Sequence, residues 1–309
     1  SPMLKIYQKT LSNNLSFEGI GLHSGKKSNL LVKPAKEDVG IVFKRVDLDQ
    51  NNLVVANYKN VTSAKLCTTL ENNFGVRIST VEHLLAALYL ADIDNAIIEI
   101  DSEEVPIMDG SAKEFLEAFK KTKTKILSKK RKYLKIVDKV ELIDGEKKIS
   151  IEPIDNSLEV DFRLNYENKI IGKQKNVINF EIDDLDEVSS SRTFCLFEDI
   201  ERIKKAGLAR GGSLDNAVVV DDNSVMNTGG LRNDKEFVNH KILDLAGDFL
   251  LSGYRIIGKV VCYQGGHELT NKFLKKLFNN KSSLKIFENK NIAFSKNVSL
   301  KQSSKIAVN

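Results

Sequence analysis

Ser79-Thr80-Val81-Glu82-His83-Leu84-Leu85-Ala86-Ala87-Leu88 is the stretch in which a strand-like chain changes to helical periodicity. Ser79 followed three residues later by Glu82 forms a capping-box pattern, so a helix is expected to open with Ser79 as its N-cap. Upstream, residues 30–32, 40–43 and 53–55 are short apolar or alternating runs bounded by Asn, Asp, Pro and Gly, which read as strands. Downstream, residues 95–100 form a buried-strand run. Asp109-Gly110-Ser111 then leads into a second helix, where Ser111 and Glu114 repeat the capping pattern.

The same order recurs further on. Strands are expected at residues 133–140, 148–152 and 158–164, followed by helices and a strand at 256–263. Strands first and helices after, twice over, predict an α+β fold rather than a doubly wound sheet. The basic run at residues 120–132, with Lys129-Lys130-Arg131-Lys132, reads as a solvated linker between the halves. The boundaries expected are residues 3–124 and 131–305, joined by 125–130. Ser1 and Pro2 precede Met3 and are left out of the fold argument.

Composition narrows the function classes. Hydrophobic residues make up 41% and charged residues 29% of 309, a globular mix. No apolar run approaches the ~20 residues that span a bilayer, and no export leader is evident. A net charge of +5 suits an anionic small substrate, but the basic residues are too scattered for nucleic acid. Cys67, Cys195 and Cys262 are odd in number and lack C-x-x-C spacing, which speaks against disulfides and thiolate zinc sites and for a reducing cytosol. There are four histidines, His23, His83, His240 and His267, so imidazole chemistry must draw on these.

Residues 234–251 form the clearest amphipathic helix. Val238, Ile242, Leu245 and Phe249 supply its core face, while His240, Asp244 and Asp248 fall at i, i+4 and i+8. His and Asp one turn apart can direct two ligands at one divalent ion. A second, distant histidine is needed, and His83 is the candidate. Glu82 reads equally as a capping glutamate or as a group reaching a metal-activated water, and His83 as a core histidine or a ligand. Residues 19–26 resemble a phosphate loop superficially, but the spacing fits neither nucleotide-loop pattern.

Six ordered motifs then carry a resemblance. They are Gly19-Ile20-Gly21-Leu22-His23-Ser24-Gly25, Arg77-Ile78-Ser79-Thr80-Val81-Glu82-His83-Leu84 and Pro106-Ile107-Met108-Asp109-Gly110-Ser111. Ser191-Arg192-Thr193-Phe194, Phe237-Val238-Asn239-His240-Lys241-Ile242-Leu243-Asp244 and Gly265-Gly266-His267 follow. Together, from about Leu4 to about Phe294, the chain resembles the UDP-3-O-acyl-N-acetylglucosamine deacetylases, zinc enzymes of lipid A biosynthesis in Gram-negative bacteria.

The resemblance implies two similar domains, each a β-sheet packed against two helices with a small insert, and an active site between them. It implies one Zn²⁺ per chain held by His83, His240 and Asp244, Glu82 as general base and His267 as acid at the leaving group. Thr193 matches an oxyanion-holding hydroxyl, and Lys241 and Asp248 match polar site residues. A hydrophobic acyl passage is implied in an insert near residues 195–220, starting at Phe194 and using Ile200, Ala209, Gly212, Ser213, Ala217 and Val219, with Leu22 beside it. Tyr166 and Lys147 match nucleotide contacts. A cytoplasmic monomer acting on a UDP-sugar acyl lipid is the expectation that follows. Two rivals use the same ligands differently. A zinc peptidase lacks its H-E-x-x-H here, and a carbohydrate- or lipid-binding module with a structural zinc lacks suitably spaced cysteines.

Overall fold

The structure is a computed structural model that describes residues 3–290. The end of the expected second domain and Phe294 lie outside the described residues. The fold is mixed α and β, with six α-helices and several sheets among the described residues.

A five-stranded sheet occupies the first third, in the order Leu15–Ile20, Lys27–Pro34, Ala96–Ile100, Ile41–Arg45, Leu53–Val55. Ala96–Ile100 is central, antiparallel to Lys27–Pro34 and parallel to Ile41–Arg45. Its Ala96, Ile98 and Ile100 are buried, the alternation that a half-covered strand needs. Two helices belong to this part, α1 (Glu82–Leu90) and α2 (Lys113–Thr122). Phe115 and Phe119 of α2 meet Phe17 of the sheet edge-on, with ring centroids 5.0 and 6.0 Å away.

A seven-stranded sheet follows, built around Arg255–Tyr263. That strand pairs antiparallel with Lys147–Glu152 and parallel with both Leu158–Asn165 and Lys132–Ile136. Helices α3 (Asp186–Ser190), α4 (Phe197–Lys205), α5 (Glu236–Leu250) and α6 (His267–Asn279) complete the set. The chain thus runs strands before helices twice, as the sequence predicts.

Two local expectations are corrected. Residues 125–130 are not a linker: Thr124–Lys130 is a strand antiparallel to Tyr7–Leu11. Most of its side chains are exposed, so it carries no apolar alternation, and its partner is more than a hundred residues away. Ser79 is not the cap of α1 either, because Thr80 takes a left-handed φ of 59° and the helix starts at Glu82 after Val81. Ser111 does accept from the Lys113 amide at 3.1 Å, although Ala112 holds the cap position.

One contact fixes how the two parts meet. A Cβ on Gly247 would lie 2.1 Å from the Glu82 carbonyl oxygen, so only glycine lets α5 lie this close to the start of α1. Behind that crossing, Arg131 is buried and donates to Asp92 at 2.8 Å and to Asp94 at 2.8 Å. Arg255 donates to the Tyr89 and Ile93 carbonyls at 2.7 and 3.1 Å. The loop after α1 is therefore clamped by two arginines, Arg255 at the start of the larger sheet's central strand and Arg131 in the residue before strand Lys132–Ile136.

Candidate active site

The crossing of α1 and α5 places three ligand-type atoms together. His83 Nε2 and His240 Nε2 lie 3.2 and 3.3 Å from Asp244 Oδ1. All three residues are buried or nearly so. His240 Nδ1 is 2.9 Å from the Ser191 carbonyl oxygen, which can only accept, so the ring proton sits on Nδ1 and Nε2 is left as a lone pair. Asp244 Oδ1 is buried and has no hydrogen-bond partner among the described residues. Two nitrogen donors and a carboxylate oxygen converging on one point, with the histidine oriented from behind by a carbonyl, is the arrangement a divalent cation takes. Nitrogen and oxygen ligands in a set of three suit Zn²⁺ with room for a further ligand.

A histidine–glutamate pair adjoins this point. His267, at the first turn of α6, has Nε2 3.4 Å from Glu82 Oε2 and 3.6 Å from Asp244 Oδ2. Its Nδ1 lies 2.5 Å from Asp248 Oδ2. Thr68 ties the back of the site: its amide donates to Glu82 Oε1 at 3.0 Å and its hydroxyl to Asp248 Oδ1 at 2.7 Å. Glu82 is therefore no capping residue, since its carboxylate is taken by Thr68 and faces His267.

Burial and charge act against each other here. Burial opposes a charge on His267, yet Asp248, Glu82 and Asp244 hold its pKa well above the ordinary histidine value. Burial likewise disfavours ionised Glu82, but His267 and His83 bring its carboxyl below the usual range. Asp248 goes the other way: burial raises it, and His267 offsets only part of that. Burial and neighbouring Glu82 push the Cys67 thiol up to about 11, so it is an inert neighbour rather than a thiolate.

Two cavities flank the cluster. A largely apolar one of about 380 Å³ is lined by Phe194, Ile200, Ala209 and Gly212. Ser213, Ala217, Val219 and Leu22 complete the set expected from the sequence, with Thr193 among the lining. The strands Phe194–Leu196 and Val218–Val220 pair in parallel to form one wall, and α4 forms another. A smaller polar cavity of about 230 Å³ holds Lys147, Tyr166, Lys241 and His267, the first two being the expected nucleotide contacts. Phe194 stands between them: its ring is 6.1 Å from Tyr166 and 5.9 Å from the Lys241 ammonium.

The glycine-rich segment at residues 19–25 wraps a carboxylate, not a phosphate. Glu104 accepts from the His23 and Ser24 amides and from the Thr80 hydroxyl. Sequence reasoning missed Thr68, Ser191, Leu66 and Lys65. Ser191 sat inside a quoted motif, whereas Thr68 follows Cys67 with no pattern to mark it.

The chain is similar to known proteins over most of its length. The family model described as UDP-3-O-acyl N-acetylglycosamine deacetylase matches residues 8–279. A protein of Geotalea uraniireducens is 42% identical over 283 residues, covering 91% of this chain and 92% of its own. One from Pseudoalteromonas translucida is 41% identical over 281 residues, covering 90% and 92%. One from Pasteurella multocida is 42% identical over 283 residues, again covering 90% and 92%. All three carry the name UDP-3-O-acyl-N-acetylglucosamine deacetylase. With residues 8–279 matched and relatives above 40% identity over nine-tenths of the chain, this chain belongs to the UDP-3-O-acyl N-acetylglycosamine deacetylase family.

Proposed function

We propose that this protein hydrolyses the N-acetyl group of UDP-3-O-acyl-N-acetylglucosamine in the cytoplasm, an early step of lipid A biosynthesis, releasing acetate and the free glucosamine amine. On this reading His83, His240 and Asp244 hold one Zn²⁺, between an N-terminal domain of residues 3–124 and a C-terminal domain starting at 131. The observation that carries it is that the same His267 nitrogen faces both Glu82 and Asp244, so acid, base and ligand set share one point.

A zinc ion held there supplies Lewis-acid polarisation and acidifies water. The rest falls to the chain's own groups. Glu82, ionised and fixed by Thr68, takes the proton of the water that adds to the acetamide carbon. The Thr193 hydroxyl supports the oxyanion that forms as the carbonyl opens. His267, held cationic by Asp248, passes its Nε2 proton to the nitrogen as the C–N bond breaks, because an amine leaves poorly as an anion. Lys241 stands at the edge of the polar cavity, where its charge favours an anionic sugar nucleotide.

The apolar passage takes the acyl chain and the lysine-lined cavity takes the phosphates. A zinc peptidase has no use for the passage. The deciding assay is acetate release by zinc-loaded protein from UDP-3-O-acyl-N-acetylglucosamine and from acetylated peptides. Turnover confined to the sugar nucleotide is expected, and comparable peptide turnover would overturn the reading.

A further inference from the structure

We infer that His23 is a substrate-binding residue whose Nε2–H donates a hydrogen bond to an oxygen of the acyl group. The inference rests on reading the apolar cavity as the acyl passage. The tautomer comes from the backbone. His23 Nδ1 lies 3.1 Å from the Ala209 amide, which can only donate, so Nδ1 accepts and the ring proton of a neutral imidazole sits on Nε2. That Nε2 is buried and has no partner among the described residues. His23 lines the passage with Leu22, Leu66, Phe197, Ile200 and Ile203, and the Thr193 and Ser213 hydroxyls in the same lining do not bond to it. A buried donor without an acceptor costs free energy, and native structures keep such groups for a reason.

The ring is held rather than drifting. The His23 amide donates to Glu104 at 3.1 Å, and its carbonyl accepts from the Arg210 amide at 3.3 Å. Ala209 itself sits at φ 52°, in the left-handed region a non-glycine residue seldom takes. Next to it, a Cβ on Gly211 would lie 2.3 Å from the Gly21 carbonyl oxygen, so the two loops interlock as backbones. A strained residue and a close backbone approach both serve to aim one imidazole into an apolar channel.

The chemistry of the ligand follows from the donor. A hydrocarbon chain has nothing to accept this hydrogen. A 3-O-acyl sugar always brings one acceptor to the passage, the ester carbonyl, and a chain bearing a hydroxyl would bring a second. His23 therefore discriminates an acyl ester from a bare alkyl chain of equal length.

The test uses the zinc-loaded full chain with three substrates: the 3-O-acyl ester, the same ester carrying a chain hydroxyl, and a 3-O-alkyl ether of matched length. His23→Asn keeps an acceptor at the δ position for the Ala209 amide and removes the ε donor. It should raise KM for the ester about ten-fold, leave kcat near normal and leave the ether unchanged. His23→Gln, whose amide reaches the ε position, should recover most of the loss. A loss confined to the hydroxylated chain assigns the partner as the chain hydroxyl and supports the donor role equally. Equal losses on ester and ether, or no loss on any substrate, overturn it. Ala217→Phe keeps the two readings apart. If it raises KM for ester and ether alike while His23→Asn does not discriminate them, the passage stands and the His23 assignment falls.

Discussion

His267 Nδ1 and Asp248 Oδ2 stand 2.5 Å apart, with the opposite Asp248 oxygen held by the Thr68 hydroxyl. This pairing points the other ring nitrogen at Glu82 and keeps the ring charged. With Glu82 as base and His267 as acid, kcat/KM should follow a bell in pH. Glu82 must be ionised, which sets the acid side, and His267 must stay protonated, which sets the alkaline side. Because the His267 pKa is raised, its limb lies above the ordinary histidine range. His267→Ala should move or abolish the alkaline limb and leave zinc content unchanged. Asp248→Asn should shift that limb to lower pH. An unmoved alkaline limb in folded, zinc-loaded His267→Ala would sink the acid assignment.

Metal and base separate by different readouts. His83→Ala, His240→Ala and Asp244→Ala should each lose zinc and activity together, measured by elemental analysis alongside acetate release. Glu82→Gln should keep zinc yet lose about 10²–10⁴-fold in kcat. Stoichiometric zinc and ordinary turnover in purified His240→Ala would contradict the ligand set.

The passage is addressed by bulk. Ala217 is buried in its wall, so Ala217→Phe should raise KM for an acylated substrate and scarcely change turnover of an analogue without the chain. Equal damage to both substrates would indicate a folding defect instead.

Gly247→Ala tests the helix crossing. Its methyl would meet the Glu82 carbonyl, so α5 must retreat from α1 and carry His240 and Asp244 away from His83. Zinc affinity should fall in a chelator competition, and a misplacement of ~1 Å is worth about 10²-fold in rate. Unchanged zinc affinity would show that the crossing tolerates a side chain.

Acid stability should depend on Asp92. Burial opposes its charge, but Arg131, Arg255 and Lys5 hold its carboxyl below the usual range. A depressed folded pKa gives stability that is present above the unfolded value of about 3.9 and lost as pH falls through the folded one. Asp92→Asn should cost about 1–3 kcal/mol at neutral pH, because Arg131 keeps Asp94 but loses one of its two carboxylate partners, and should flatten the acid limb of a urea-unfolding series. A stability–pH curve parallel to that of the unsubstituted protein would remove Asp92 from that role.

Periodicity was enough for the central elements. The strands around Leu30, Ile41, Ile98 and Val260 and the helix through His240 all carry apolar spacing that tertiary packing then uses. Thr124–Lys130 escaped because both its faces are largely solvent-exposed and its pairing with Tyr7–Leu11 is non-local. The candidate ligand trio was readable as residue types at helical spacing plus one distant histidine, and the fold brings their ligand atoms together. Thr68 was not, because a threonine in an irregular bend announces nothing until the fold brings two carboxylates to its amide and hydroxyl. The left-handed Thr80 was equally silent, and it moved the start of α1 by more than half a turn from the expected cap.

Four consecutive residues in that bend reach separate parts of the molecule. Lys65 borders the polar cavity, Leu66 borders the apolar one, Cys67 packs beside Glu82, and Thr68 grips both Glu82 and Asp248. A molecule that fills one cavity and leaves the other empty restrains this segment from one side alone. The bend thus joins the linings of both cavities to the Glu82 and Asp248 carboxylates within four consecutive residues.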